Sequence, residues 1–243
     1  MAISGQSIGC RKSFQRRFRH SRSASAGREP VLSFQRRIPL SLSGPDVMSA
    51  QSKLKKDSAK TVPVEKSIVL VGLMGAGKTC IGTRLAKKLG MGFVDADDEI
   101  ETAADCTIEE IFNQYGEQAF RDGERRVIAR LLEGEPRVVA TGGGAFASPE
   151  TRENVRRLGI SIWLKADIDI LLQRVSRRNN RPLLKNGNKR EILERLIDER
   201  YPAYGEADLT VESGSESPDI TVAKVIDALK TIDDPRQVEA AAE

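Results

Sequence analysis

Eight residues limit the folds open to this chain more than any other feature. Gly72-Leu73-Met74-Gly75-Ala76-Gly77-Lys78-Thr79 fits G-x-x-x-x-G-K-[ST], directly after the apolar run Ser67 to Val71 and directly before a helical stripe. In that stripe Ile81, Leu85 and Leu89 recur every four residues and stop at Gly90, the pattern of an amphipathic helix with a glycine terminator. Strand, glycine-rich turn and helix in this order aim backbone N–H groups and the positive helix end at a phosphate. Lys78 adds a formal charge at the β/γ-phosphates of a nucleotide. The Thr79 hydroxyl is placed for Mg²⁺, an ion that keeps most of its waters and needs few protein ligands. Gly75, Ala76, Gly77, Lys78, Thr79 and the adjacent Cys80 are therefore the expected ATP site, with Cys80 a small packing residue rather than a reactive thiol.

Short β-branched runs alternate with helical segments from about residue 66 onward, the signature of an α/β fold. Ser67 to Val71, Gly92 to Asp95, Arg137 to Thr141, Ile160 to Lys165 and Asp208 to Glu212 read as five strands, mostly apolar as parallel strands buried on both faces should be. Thr107 with Glu110 forms a capping box that starts one helix, and Ser217-Pro218 suits the cap and first position of the last. The expected core is one domain over residues 61 to 232, a five-stranded parallel sheet with helices on both sides, followed by a short tail at 233 to 243.

Charge separates this domain from what precedes it. Residues 1 to 60 hold 13 Lys and Arg against three acids, leaving 26 basic and 32 acidic groups in the rest of the chain. The high pI thus belongs to a Ser/Arg-rich extension expected to be disordered, while the acidic domain argues against nucleic acid as a partner. Few acids among many Ser and Arg also describe an organellar transit peptide, although Met48 offers a second start. The simpler expectation is a cytoplasmic, monomeric protein with a dispensable tail, and no apolar stretch is long enough for a membrane span. A chain starting at Met48 should therefore keep full activity and thermal stability, and a large loss of either would show that the tail is structural.

Two exclusions narrow the chemistry. Cys10, Cys80 and Cys106 are odd in number and lack metal-ligand or C-x-x-C spacing, which argues against zinc and against a disulfide framework. The only histidine, His20, lies in the basic extension, so Ser-His-Asp, Cys-His and H-E-x-x-H chemistries have no histidine in the domain. Catalysis falls to Lys, Arg, carboxylates and metal. Nucleotide-binding domains of this kind often place an acid at the end of another strand, but Val138-Val139-Ala140-Thr141 runs into Gly142-Gly143-Gly144. Asp95, ending the strand before it, sits at the carboxyl edge where α/β folds bind ligands, and is expected to hold the metal through water. Asp97, two residues on, is placed to reach an acceptor hydroxyl.

Several motifs now run in register. Phe93-x-Asp95-x-Asp97-x-x-Ile100-Glu101, Gly116-Glu117-x-x-Phe120-Arg121-x-x-Glu124, Gly142-Gly143-Gly144, Arg174 with Arg181-Pro182-Leu183-Leu184, and Glu199-Arg200-x-x-Tyr204 together resemble the shikimate kinase family over roughly residues 66 to 231. The resemblance implies a P-loop kinase fold with a mobile lid, ATP and Mg²⁺, and transfer of phosphate to the 3-hydroxyl of shikimate. It places Asp97, Arg121, Gly142, Gly143, Gly144 and Arg200 around shikimate, with Phe112 and Phe120 as an apolar wall. Guanidinium forks suit its carboxylate and a carboxylate suits its hydroxyls. Glu124 would orient Arg121, although ion pairs with Glu117 or Glu124 alone would also explain that arginine. Arg181 would arrive over the transferring phosphoryl on lid closure, and Arg174 would stack on adenine. Lys78, Asp97 and Arg181 are thus the expected catalytic residues. Another small-acceptor kinase, for gluconate or a nucleoside monophosphate, remains a rival, as does a non-catalytic nucleotide-binding protein.

Overall fold

The computed structural model describes residues 66–177 and 188–232. Five strands form one sheet: β1 (Ser67–Val71), β2 (Gly92–Asp95), β3 (Arg137–Ala140), β4 (Gly159–Lys165) and β5 (Leu209–Glu212). Their order is β2-β3-β1-β4-β5 and every pairing is parallel. In the central strand Ile68, Leu70 and the valines are fully buried, as expected for a strand covered on both faces.

Among the described residues seven α-helices connect and cover these strands: α1 (Lys78–Leu89), α2 (Ala96–Ala104), α3 (Ile108–Leu132), α4 (Pro149–Leu158), α5 (Ile168–Ser176), α6 (Lys189–Tyr204) and α7 (Pro218–Ile232), with a 3-10 turn at Ala145–Ala147. Ile81 and Leu85 of α1 are buried, and Gly90 closes the helix in the left-handed conformation, its N–H donating to Ala86 O. The Thr107 box is complete, with its hydroxyl accepting from Glu110 N and the Glu110 side chain accepting from Thr107 N.

Register brings the functional loops to one level. Leu70 pairs with Ala140 and with Ile162, while Asp95 also pairs with Ala140. The loops after β1, β2 and β3 therefore leave the sheet side by side, at the carboxyl edge where the order switches around β1.

Three strand ends differ by one residue from expectation: β4 starts one residue earlier, at Gly159, which pairs with Ser67, and at the other two a side chain takes over from the ladder. Thr141 sends both its N–H and its hydroxyl to Leu70 O, at 3.2 and 3.0 Å. Asp208 instead accepts from Ser161 N at 2.7 Å and Ser161 Oγ at 2.6 Å. Cys80 is a free thiol. Cys106 is partly buried against the hydrophobic core.

Candidate active site

The phosphate loop is built around backbone shapes that favour glycine. Gly75 and Gly77 have φ of 86° and 99°, and Gly77 forms the N-cap from which α1 starts, so Lys78 and Thr79 occupy the first helical turn. Lys78 folds back over the loop, its Nζ donating to Gly72 O at 2.7 Å and Leu73 O at 3.0 Å. These bonds hold the ammonium above the loop. Cys80 Sγ accepts from Arg84 Nη1 at 2.9 Å, in keeping with a local packing role.

Asp95 ties the loop to the next element. One carboxylate oxygen caps α2 by accepting from Asp97 N at 3.1 Å, and the other accepts from Thr79 Oγ1 at 2.8 Å. The cap turns the chain into a helix directly at the strand end, so Asp97 sits in the first turn of α2, half-buried. Burial, then the neighbouring Asp95, Glu101 and Glu99, pushes Asp98 above the ordinary carboxylate range.

Lys78, Thr79, Asp95, Asp97, Gly143 and Arg174 line one cleft of about 300 Å³. Residues separated in sequence by up to 96 positions, Lys78 to Arg174, thus meet where the parallel strands end.

α3 brings a second set of side chains to the glycine loop after β3. Gly116 has φ 80° and ψ 173°, a non-helical break that splits α3 into two stretches, and a Cβ there would meet nothing within 4 Å. The residue is needed for its backbone shape alone. Beyond the break, Phe120 packs on Phe112 with centroids 4.7 Å apart, and the Arg121 guanidinium carbon stands 5.1 Å from the Phe120 ring centre.

Arg121 Nη1 donates to Glu124 Oε2 at 2.7 Å and its Nη2 donates to Glu117 Oε1 at 3.1 Å. Both ion pairs foreseen from helical spacing are present, and Glu124 is only 2% exposed. Burial pushes the Glu124 pKa up against the pull of Arg121 and Arg200. Burial works against the Arg121 charge in turn, but Glu124 and Glu117 outweigh it and raise its pKa.

The three glycines after β3 are spacers. A Cβ on Gly142 would lie 2.6 Å from Glu124 Oε1 and 2.8 Å from Asp97 Oδ1; on Gly143, 3.4 Å from Arg200 Nη1; on Gly144, 2.5 Å from Arg121 Nη1. Asp97, Arg121 and Arg200 therefore converge on one glycine loop from three helices. Gly144→Ala should drive the Arg121 guanidinium away, since the end of a flexible side chain yields before backbone does. Overpacking of this kind costs about 1–3 kcal/mol, so for the role beside shikimate that the resemblance implies for Arg121, the KM for shikimate should rise about tenfold, and steady-state kinetics should find ATP KM unchanged.

Arg174 stands near the end of α5 as expected, but its edges are engaged. It donates to Gly75 O at 3.2 Å, Ser213 Oγ at 3.0 Å and Gly214 O at 2.5 Å. The guanidinium clasps the phosphate loop to the turn after β5. Ser213 shares the clasp, its hydroxyl donating to Ala76 O at 2.9 Å. A lone serine at a strand end carries no pattern that could have announced it. Arg181 and the expected lid lie outside the described residues.

A family model described as shikimate kinase matches residues 74–230. The chain belongs to the shikimate kinase family. It is similar to a shikimate kinase of Paramagnetospirillum magneticum, 55% identical over 168 residues that cover 69% of this chain and 86% of the relative. A shikimate kinase of Caulobacter vibrioides is 53% identical over 165 residues, covering 68% and 82% of the two chains. Among solved structures, a shikimate kinase from Acinetobacter baumannii in complex with shikimate superposes with a TM-score of 0.66 at 38% identity, over 68% of this chain and 93% of that one. The matched residues run from within the phosphate loop past Arg200.

Proposed function

We propose that this cleft divides the family's reaction among three groups of residues. The chain is an enzyme that phosphorylates shikimate with ATP, a step on the route to aromatic amino acids. The observation that carries the division of labour is the meeting of Lys78, Thr79, Asp95 and Asp97 with Gly143 in one cleft.

Gly75, Ala76, Gly77, Lys78, Thr79 and Cys80 take the triphosphate, with backbone N–H groups and the start of α1 facing its charge. Arg174 offers its face to the base. Asp97 accepts from the 3-hydroxyl of shikimate and orients it for in-line attack on the γ-phosphate. Arg121 and Arg200, with the Gly142 to Gly144 backbone between them, receive the shikimate carboxylate. Phosphoryl transfer needs positioning and charge neutralisation more than covalent chemistry, and Lys78 and Arg181 supply the cations.

Mg²⁺ fits the donors present. Thr79 and Asp95 stand 2.8 Å apart at the loop, and no group of three or more His, Cys, Asp or Glu able to hold a metal occurs among the described residues. An ion that retains its waters and leans on phosphates suits such a sparse site, held by the Thr79 hydroxyl and, through water, by Asp95. When bound it would neutralise charge on the β- and γ-phosphates.

No helix among the described residues is long and apolar enough to cross a membrane. A cytoplasmic location and a monomeric state belong to the same proposal, and cell fractionation and gel filtration of the full chain test them. The central experiment is a coupled assay of ADP release with shikimate, gluconate or a nucleoside monophosphate as acceptor. Release that depends on shikimate alone is expected. Equal turnover of the other acceptors, or ADP release indifferent to any acceptor, would overturn the assignment of the cleft.

A further inference from the structure

Tyr204 ends α6 with its side chain turned entirely inward. It is 0% exposed, and its hydroxyl donates to Gly143 O in the middle of the glycine loop. One helical turn earlier on the same element stands Arg200, whose charge acts on the Tyr204 hydroxyl and whose guanidinium lies against Gly143. Gly143 in turn abuts the phosphate loop, where a Cβ on it would sit 3.4 Å from Met74 N. A single phenol thus joins the helix that carries Arg200, the loop that faces the acceptor and the wall of the nucleotide site.

The surroundings hold this phenol still. Its ring packs against Trp163 at 5.8 Å and Tyr201 at 6.2 Å between centroids, and Trp163 packs edge-on against Tyr201 at 4.8 Å. Trp163 belongs to β4, paired with Val71 at the last step before the phosphate loop. Burial pushes the Tyr204 pKa up to about 12, which Arg200 only partly offsets, so the hydroxyl keeps its proton and remains a donor at any working pH. In a trans peptide the C=O and the next N–H point opposite ways. Holding Gly143 O toward the core therefore turns the Gly144 N–H away from it.

We propose that Tyr204 is a positioning residue for acceptor capture, fixing Arg200 and the Gly143–Gly144 peptide at one separation so that both meet the acid group of the acceptor. This rests on the reading of Arg200 and the glycine loop as the carboxylate site. Tyr204 touches no reacting atom, so it acts on binding of the acceptor and not on the phosphoryl step.

Tyr204→Phe keeps the ring and leaves Gly143 O without its donor. Shikimate KM should rise about tenfold, with kcat and ATP KM within about twofold of the unaltered enzyme. Trp163 is the chain's only tryptophan, and its fluorescence gives shikimate affinity independently of turnover. Tyr201→Phe is the control, since its hydroxyl donates to Ala166 O at 3.1 Å and not to the glycine loop; it should leave shikimate KM unchanged.

A double-mutant cycle separates positioning from general stability. Tyr204→Phe should add little to Arg200→Ala if the phenol works through Arg200, whereas additive losses would indicate a merely structural group. Should the Phe variant fail to fold, 3,5-difluorotyrosine at position 204 preserves shape while making the hydroxyl more acidic. Shikimate KM should then rise with pH, because a phenolate cannot donate to a carbonyl, while the unaltered enzyme shows no such rise. An unaltered enzyme that does not turn over shikimate would sink the reading of the site. An active enzyme whose Tyr204→Phe and difluorotyrosine forms keep a normal, pH-independent shikimate KM would sink this inference alone.

Discussion

Lys78→Ala should lower turnover by ~10²–10³-fold while leaving shikimate affinity intact, the cost of removing one fixed donor from a developing anion in other enzymes. The ammonium is held over the phosphate loop by two carbonyls, at 2.7 and 3.0 Å, and no other residue of the loop carries a positive charge. In the proposed reading the γ-phosphate then loses the cation of the loop. Asp97→Asn should be nearly as inactive for a different reason. Asparagine keeps the shape, but its amide is a weaker acceptor for the hydroxyl that must attack. Calorimetry distinguishes the two: the Lys78 variant should bind shikimate normally, and the Asp97 variant should bind it poorly. The opposite pattern, lost shikimate affinity with Lys78→Ala and normal affinity with Asp97→Asn, would reverse the two roles.

The architecture was legible because its local and global signals agree. An apolar β1, glycines at a turn that needs positive φ and the Ile81/Leu85 stripe all call for the same strand-loop-helix unit, and the structure has it within a residue. Capping signals at Thr107 and Pro218 were equally local and equally reliable. Side-chain direction was less accessible, since it depends on contacts between elements far apart in sequence. Arg174 illustrates this, its edge being taken by Gly75 O and Gly214 O, positions 99 and 40 residues away. Sheet order itself has no local signature. Only the register of β1, β2 and β3 explains why Asp95 reaches Thr79, and why three glycines after β3 lie beneath two arginines from different helices. Tyr204 was visible as part of a motif, but the reason for a phenol there appears only once its hydroxyl is seen on Gly143 O.

Substrate choice should depend most on the pair Arg121 and Arg200, which lie 79 positions apart and stand over adjacent glycines. Arg121 is already tied to Glu117 and Glu124, so its charge is partly balanced before any ligand arrives. Arg200 has the Tyr204 hydroxyl beside it and Glu124 within electrostatic reach, and so depends more on the incoming acid for a counter-charge. Breaking a desolvated charge pair costs about 2–5 kcal/mol. Arg200→Ala should accordingly weaken shikimate capture by roughly 30-fold to several thousandfold, with ATP affinity little changed. A shikimate analogue bearing a neutral amide tests whether charge is what the arginines read. It should bind the unaltered enzyme poorly and lose far less than shikimate does when Arg200 is removed, because the lost partner was never an ion. Equal phosphorylation of amide and acid by the unaltered enzyme would mean that the carboxylate is not recognised by these guanidinium groups. The glycine loop, Arg121 and Arg200 would then need a different ligand group to explain their convergence.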